Sequence, residues 1–205
     1  IRLGRIGAPR MIGCFLLRDW GRIGGWRGDP ARSGGLFLEL GSHYFDLMAL
    51  LAARPATQVY VSGGDLNGTG QPDHFWATVT FGADVHASFG LCLFAAARNE
   101  IRLHAIGDEG RLEGELLSGA VWWWPRGQRE PEEISPRHTH YDQPGWPGSR
   151  EVLEDFVRAI RTGTEPACHL ANAREVTAIA IAADRSWRSG RPIALAELAA
   201  EAAAR

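Results

Sequence analysis

Glu39, His43 and Asp46 are the residues of this 205-residue chain best placed to do chemistry together, because at about 100° per residue they share one stripe of a helix. A carboxylate four residues ahead of an imidazole supports two readings. In the first, the two groups pair and satisfy each other inside a core. In the second, the stripe lines a cleft in which His43 takes and returns a proton, while Glu39 fixes its orientation and raises its basicity. Spacing alone leaves both open.

The helix that would carry them is predicted over residues 35–52, with Ser33 or Gly34 as its cap and Pro55 as its stop. Leu36, Leu40, Leu47 and Leu50 border the stripe, and Phe37, Tyr44, Met48 and Leu51 continue the apolar surface, so most of the circumference expects burial. Residues 19–33 are rich in Gly, Arg and Trp, a composition that resists regular structure but supplies planar donors and stacking surfaces. Trp20, Trp26 and Arg27 are therefore candidates for a cleft wall.

Strand patterns surround the helix. Residues 10–18 form a short apolar run suited to a buried strand. Runs at 58–62, 75–81 and 85–91 are bounded by turn residues and predict adjacent antiparallel strands. Alternation over 101–107 and 111–116 around Asp108-Glu109-Gly110 predicts a hairpin. Trp122, Trp123 and Trp124 read as a further strand, a pattern more often sheet packing or interface than a cofactor box. Gly63-Gly64 and Gly68-Thr69-Gly70 open no helical pattern and read as loop. His138 and His140 sit in a Pro- and Gly-rich loop; without a third ligand at fixed spacing they read as a solvated or cleft-rimming loop, and no metal is expected. Helical spacing returns over 150–160 with Ser149 as cap, over 171–189, and in a short stretch at 197–204.

Composition excludes several classes. A formal net charge of −2 with no basic run interleaved with aromatics argues against nucleic acid. Cys14, Cys92 and Cys168 are odd in number and form no C-x-x-C, which fits a reducing cytoplasm rather than a disulfide framework or zinc ribbon. No apolar run of membrane-spanning length and no signal-peptide layout is present. Every basic side chain apart from histidine is arginine, so lysine chemistry would have to come from elsewhere, and no G-x-G-x-x-G fingerprint occurs.

Residues 33–46, Ser33-Gly34-Gly35-Leu36-Phe37-Leu38-Glu39-Leu40-Gly41-Ser42-His43-Tyr44-Phe45-Asp46, resemble the signature G-G-G-x-x-x-D-x-G-x-H-x-x-D of the Gfo/Idh/MocA family of NAD(P)-dependent oxidoreductases. Ser33 stands at the first Gly, and Glu39 replaces the Asp with a side chain one methylene longer. Ser186-Trp187-Arg188-Ser189-Gly190-Arg191-Pro192-Ile193-Ala194-Leu195 is similar to the family's closing pattern S-x-x-x-G-R-P-x-x-L, and Gly4-Arg5-Ile6-Gly7 to its entry into the second domain. The resemblance implies an α+β two-layer sandwich, a mixed but mostly antiparallel sheet with helices on one face. Residues 1–195 would form the substrate-binding and oligomerisation domain and 196–205 a helical tail. It implies His43 as the catalytic residue and Glu39, Arg27 and Trp26 as contacts to a sugar, inositol or related polyol, with Asp46 anchoring the helix. It also implies NAD or NADP as cofactor of the parent family, bound by a Rossmann half that these residues lack, and a homo-oligomer joined through the open sheet face by Trp122, Trp123 and Trp124. The competing expectation is a non-catalytic binding or structural module, or a gene fragment.

Overall fold

The computed structural model describes residues 4–96, 99–135 and 148–204. The histidine-bearing segment with His138 and His140 lies outside them. Among the described residues, β1 (Pro9–Leu17), β2 (Ala56–Gly64), β3 (His74–Phe81), β4 (Val85–Cys92), β5 (Glu100–Gly107), β6 (Gly110–Glu115), β7 (Ala120–Pro125) and the two-residue β8 (Glu132–Glu133) and β9 (Ile193–Ala194) form one sheet. The spatial order is β8-β7-β6-β5-β1-β4-β3-β2-β9. β1 runs parallel to β4, and every other neighbouring pair is antiparallel. The run β2-β3-β4 and the hairpin β5-β6 are the ones that alternation predicts. Placing β1 between β4 and β5 is not local: its apolar Ile12, Cys14 and Leu16 need covered neighbours on both sides, which a central position provides.

The helices are α1 (Pro30–Ser33), α2 (Ser42–Ala52), α3 (Ser149–Thr162), α4 (Leu170–Ser189) and α5 (Leu195–Ala203). α2 and α4 pack on each other and on the sheet, giving the α+β two-layer arrangement. Period-2 alternation sends Val59 and Val61, Phe75 to Phe81 at odd numbers, and Val85 to Leu91 at odd numbers into this layer. Phe89 is its centre: Phe45 and Phe75 meet it edge-on, with centroids at 5.8 and 5.3 Å, and Tyr44 stacks on it at 4.8 Å. Small residues Ala180, Ala182 and Ala183 let α4 approach closely. Its Ser186, fully buried, accepts a hydrogen bond from Val61 N–H at 2.9 Å and donates one to the Arg191 carbonyl at 2.7 Å, tying helix, strand and the turn after Gly190 together.

The other sheet face carries no helix among those described as packing on the sheet. There Phe15 and Trp76 stack at 5.5 Å with planes 7° apart, directly over Gly90, where a Cβ would come within 2.6 Å of the Trp76 ring and 2.7 Å of Phe15. Three expectations are corrected here. Trp122 and Trp124 point to one face and Trp123 to the other, where its Nε1 donates to the Arg5 carbonyl at 3.0 Å, so the three tryptophans do not form one apolar patch. Gly63 and Gly64 belong to β2 rather than to a loop, because side chains there would collide with His74 and Phe75 of β3. Ser149 is the first residue of α3 and not its cap; Gly148, in the left-handed region, precedes it. No helix among the described residues is long and apolar enough to cross a membrane.

Candidate functional site

The segment from residue 25 to residue 46 is more broken than a single helix. A 3-10 turn Gly25–Gly28 leads to α1, capped by Asp29, whose Oδ1 accepts from Ala31 N–H at 3.0 Å. Gly34 and Gly35 then take φ of +80° and +90°, which explains why two glycines open the helix: residues with a Cβ rarely occupy that region. Ser33 fits where a third Gly is common, since its hydroxyl accepts from Gly35 N–H at 3.1 Å and donates to the Asp29 carbonyl at 3.0 Å. From Phe37 to Gly41 the backbone is π-helical, and only from Ser42 is it α-helical. Such π turns are rare and cluster at functional sites. A Cβ on Gly41 would meet the Phe45 ring at 3.0 Å, so a side chain here would require the ring to shift.

The wide turn changes what the stripe does. Glu39 forms an ion pair with Arg27, Nε to Oε1 at 2.9 Å, with the carboxylate mostly covered and the guanidinium half exposed. No hydrogen bond or ion pair joins Glu39 to His43 or Asp46, so Glu39 does not orient the imidazole. His43 is exposed. Among the described residues Asp46, half-buried, makes no side-chain hydrogen bond or ion pair. Burial around the helix is also narrower than predicted, with Leu50 54% exposed. Arg27 lies over the face of Trp26 at 5.6 Å, and Trp26 is half exposed. Three of the four predicted site residues, Trp26, Arg27 and Glu39, are thus joined by contact, and His43 follows on the same segment.

Two side chains that the sequence did not single out complete the surroundings. Gln71, buried, donates from Nε2 to the Gly28 carbonyl at 3.1 Å and holds the 3-10 turn against the loop before β3, beside a cavity of about 20 Å³ also lined by Leu36 and Asp73. Its position in a Gly- and Pro-rich loop carries no periodic signal. Tyr44, next to His43, has its hydroxyl pushed up to about 12 by burial and by Cys14, with the nearby Arg18 guanidinium pulling the other way. Stacked on Phe89 in the core, this phenol is packing behind the histidine and not a base at neutral pH.

A dinucleotide does not fit the described residues. Its pyrophosphate needs free backbone N–H groups in a glycine turn between a strand and a helix. The nearest turn, Gly34-Gly35, follows α1 instead of a strand, and its Gly35 N–H is already bonded to Ser33.

The description GFO/IDH/MocA C-terminal domain matches residues 1–113, and the chain belongs to that family. A comparison with curated proteins finds no match. Among solved structures, the chain is similar to an oxidoreductase domain protein from Kribbella flavida (20% identity, TM-score 0.81, covering 95% of this chain and 60% of that one). It is similar as well to an aldose-aldose oxidoreductase from Caulobacter crescentus complexed with glycerol (18%, 0.76, 94% and 57%). A third is UDP-N-acetylglucosamine 3-dehydrogenase from Acidithiobacillus ferrooxidans (18%, 0.73, 92% and 56%). At these identities the likeness is one of fold, and the chain spans no more than 60% of the length of these relatives.

Proposed function

We propose that this chain is the substrate-binding domain of a dehydrogenase acting on a sugar, inositol or related polyol. The observation that carries the reading is the Arg27–Glu39 pair, 2.9 Å apart, set beside the exposed Trp26 and followed by the exposed His43 on a π-interrupted helix. A polyol presents hydroxyls that both donate and accept. A carboxylate–guanidinium pair offers both partners at fixed separation, and an indole face covers the apolar C–H side of a sugar ring. His43 takes the proton of the hydroxyl being oxidised; its exposure leaves the imidazole free to do so. The hydride acceptor, NAD or NADP in the parent family, is held outside these residues.

The same domain self-associates through the open sheet face, where the Phe15–Trp76 pair, Trp122 and Trp124 supply apolar area. The second reading, a binding module without its own chemistry, is favoured for the chain in isolation by the occupied Gly34-Gly35 turn. Calorimetric titration of myo-inositol, glucose and glycerol into the wild type and His43→Asn, Glu39→Gln and Arg27→Met variants tests the proposal, together with turnover in the natural gene product. We expect Glu39→Gln and Arg27→Met to weaken polyol binding about tenfold, the loss of one charge-assisted hydrogen bond. His43→Asn should bind normally yet lose turnover at least about a hundredfold. Unchanged turnover in His43→Asn overturns the assignment.

A further inference from the structure

Arg18 is a half-buried guanidinium that continues the series Ile12, Cys14 and Leu16 just beyond the end of β1, so its side chain enters the helix-side layer and not the open sheet face. Its backbone is fixed on both sides, the N–H donating to the Cys92 carbonyl at 2.9 Å and the carbonyl accepting from Ala95 N–H at 2.9 Å. The guanidinium lies over the Trp20 ring at 5.6 Å and beside the Tyr44 hydroxyl, and Tyr44 directly follows His43 in the first turn of α2. Trp20 is held in turn by its N–H on the Leu93 carbonyl at 3.0 Å, and its indole is half exposed. A cation is thus set between an indole and a phenol at the end of the helix that carries His43.

This cation lacks an anion. Among the described residues no carboxylate comes within ion-pair distance of Arg18, and its enclosed Nε finds no hydrogen-bond acceptor. The acids of the neighbourhood are engaged elsewhere or face away: Glu39 pairs with Arg27 at 2.9 Å, Asp29 caps α1, Asp73 is bonded to His74 at 2.8 Å, Asp19 is exposed and Asp46 makes no ion pair. The Tyr44 phenol is neutral at pH 7 and supplies a dipole only. Withdrawing a charge from water is unfavourable without a counter-charge, so covered arginines are ordinarily paired.

We propose that Arg18 binds an anionic group of the substrate, a carboxylate or a phosphate carried by the polyol that His43 serves, a proposal that rests on the functional reading above. The arginine fork presents parallel N–H donors that match either oxyanion, and the contact with Trp20 sets its plane before a ligand arrives. The Arg27–Glu39 pair cancels its own charge and serves hydroxyls. Arg18 adds an uncancelled positive charge, so the site selects acidic polyols over neutral ones.

Sorbitol, gluconate and sorbitol phosphate share one carbon skeleton and differ at its end, so calorimetric titration of the three into the natural gene product that carries this segment isolates the charge. At least one acid should bind about tenfold or more tighter than sorbitol, and the tighter of the two names the oxyanion. Added NaCl should weaken the acids and leave sorbitol unchanged. Arg18→Met, which keeps a stem against Trp20, should bring the acids to the affinity of sorbitol without altering sorbitol itself. Arg18→Lys, charged but without the fork, should fall between, and it decides the matter if Arg18→Met does not fold. Equal affinity of the wild type for all three, or an acid preference that survives both substitutions, overturns the proposal and leaves the polyol reading standing. Acetate and inorganic phosphate separate the opposite failure: if they bind as tightly as the polyol acids and lose binding in Arg18→Met, the anion site stands and the polyol reading falls. Absence of binding for every one of these ligands overturns both.

Discussion

Ser186→Ala removes a single oxygen and should destabilise the fold more than any exposed substitution. The Ser186 hydroxyl sits at the meeting point of α4, β2 and the turn at residue 191, accepting from Val61 N–H at 2.9 Å and donating to the Arg191 carbonyl at 2.7 Å. The Val61 N–H cannot turn to bulk water, since Ser186 is 0% and Val61 2% exposed, whereas the carbonyl belongs to the exposed Arg191. Leaving the buried Val61 donor unpaired costs about 1–3 kcal/mol and the ordinary bond to Arg191 contributes about 1 kcal/mol, so losing both should cost about 2–4 kcal/mol. For a domain of this size each kcal/mol lowers Tm by about 2–4 °C, giving a fall of about 4–16 °C. Circular dichroism melts of the wild type, Ser186→Ala and the nearly isosteric Ser186→Cys measure it, with the weakly bonding thiol expected between the other two. A Tm within about 2 °C of wild type for Ser186→Ala would refute the reasoning, because it would mean the two backbone groups find other partners.

Gly90→Ala should push apart the Phe15–Trp76 stack, whose rings already lie within 2.7 Å of the missing Cβ, and destabilise by about 1–3 kcal/mol; urea unfolding read by tryptophan emission checks it. Asp73 feels burial, which raises its pKa, but its hydrogen bonds to His74 and to the Leu66 and Asn67 N–H groups outweigh this and hold the carboxyl below the usual range. A folded pKa below the unfolded one means its stabilisation is complete above about pH 4 and lost as pH falls through the folded value. Asp73→Asn should therefore be less stable at pH 6 and lose less on acidification than wild type, and parallel urea midpoints from pH 6 to 3 would contradict this. Burial pushes the Cys14 thiol up to about 12, so native protein at pH 8 should react with iodoacetamide at the exposed Cys168 and not at Cys14 until unfolded.

Much of the architecture was written locally. The alternating runs at β2, β3 and β4 and the β5-β6 hairpin follow from period-2 patterning and turn residues, which act over a few neighbours. Helix ends were legible for the same reason: Gly163 and Gly190 adopt the left-handed conformation where sequence rules place a stop. The Gly-Gly opening, the acid and the histidine of the signature were legible as one segment, and Trp26 and Arg27 were singled out although their contacts with each other and with Glu39 were not. Tertiary structure decided the rest. The parallel docking of β1 beside β4 depends on residues about 75 positions apart and has no local signal. The alternation that the sequence does show was misapplied to Trp122, Trp123 and Trp124, which it divides between two faces. The pairing partner of Glu39 could not be read at 100° per residue, because the backbone is π-helical from Phe37 to Gly41 and the carboxylate finds Arg27, which lies before the helix begins. Periodicity reports which side of an element is apolar; which distant group meets a polar side chain is fixed only when the elements pack, since that choice depends on distances between residues the local pattern never relates.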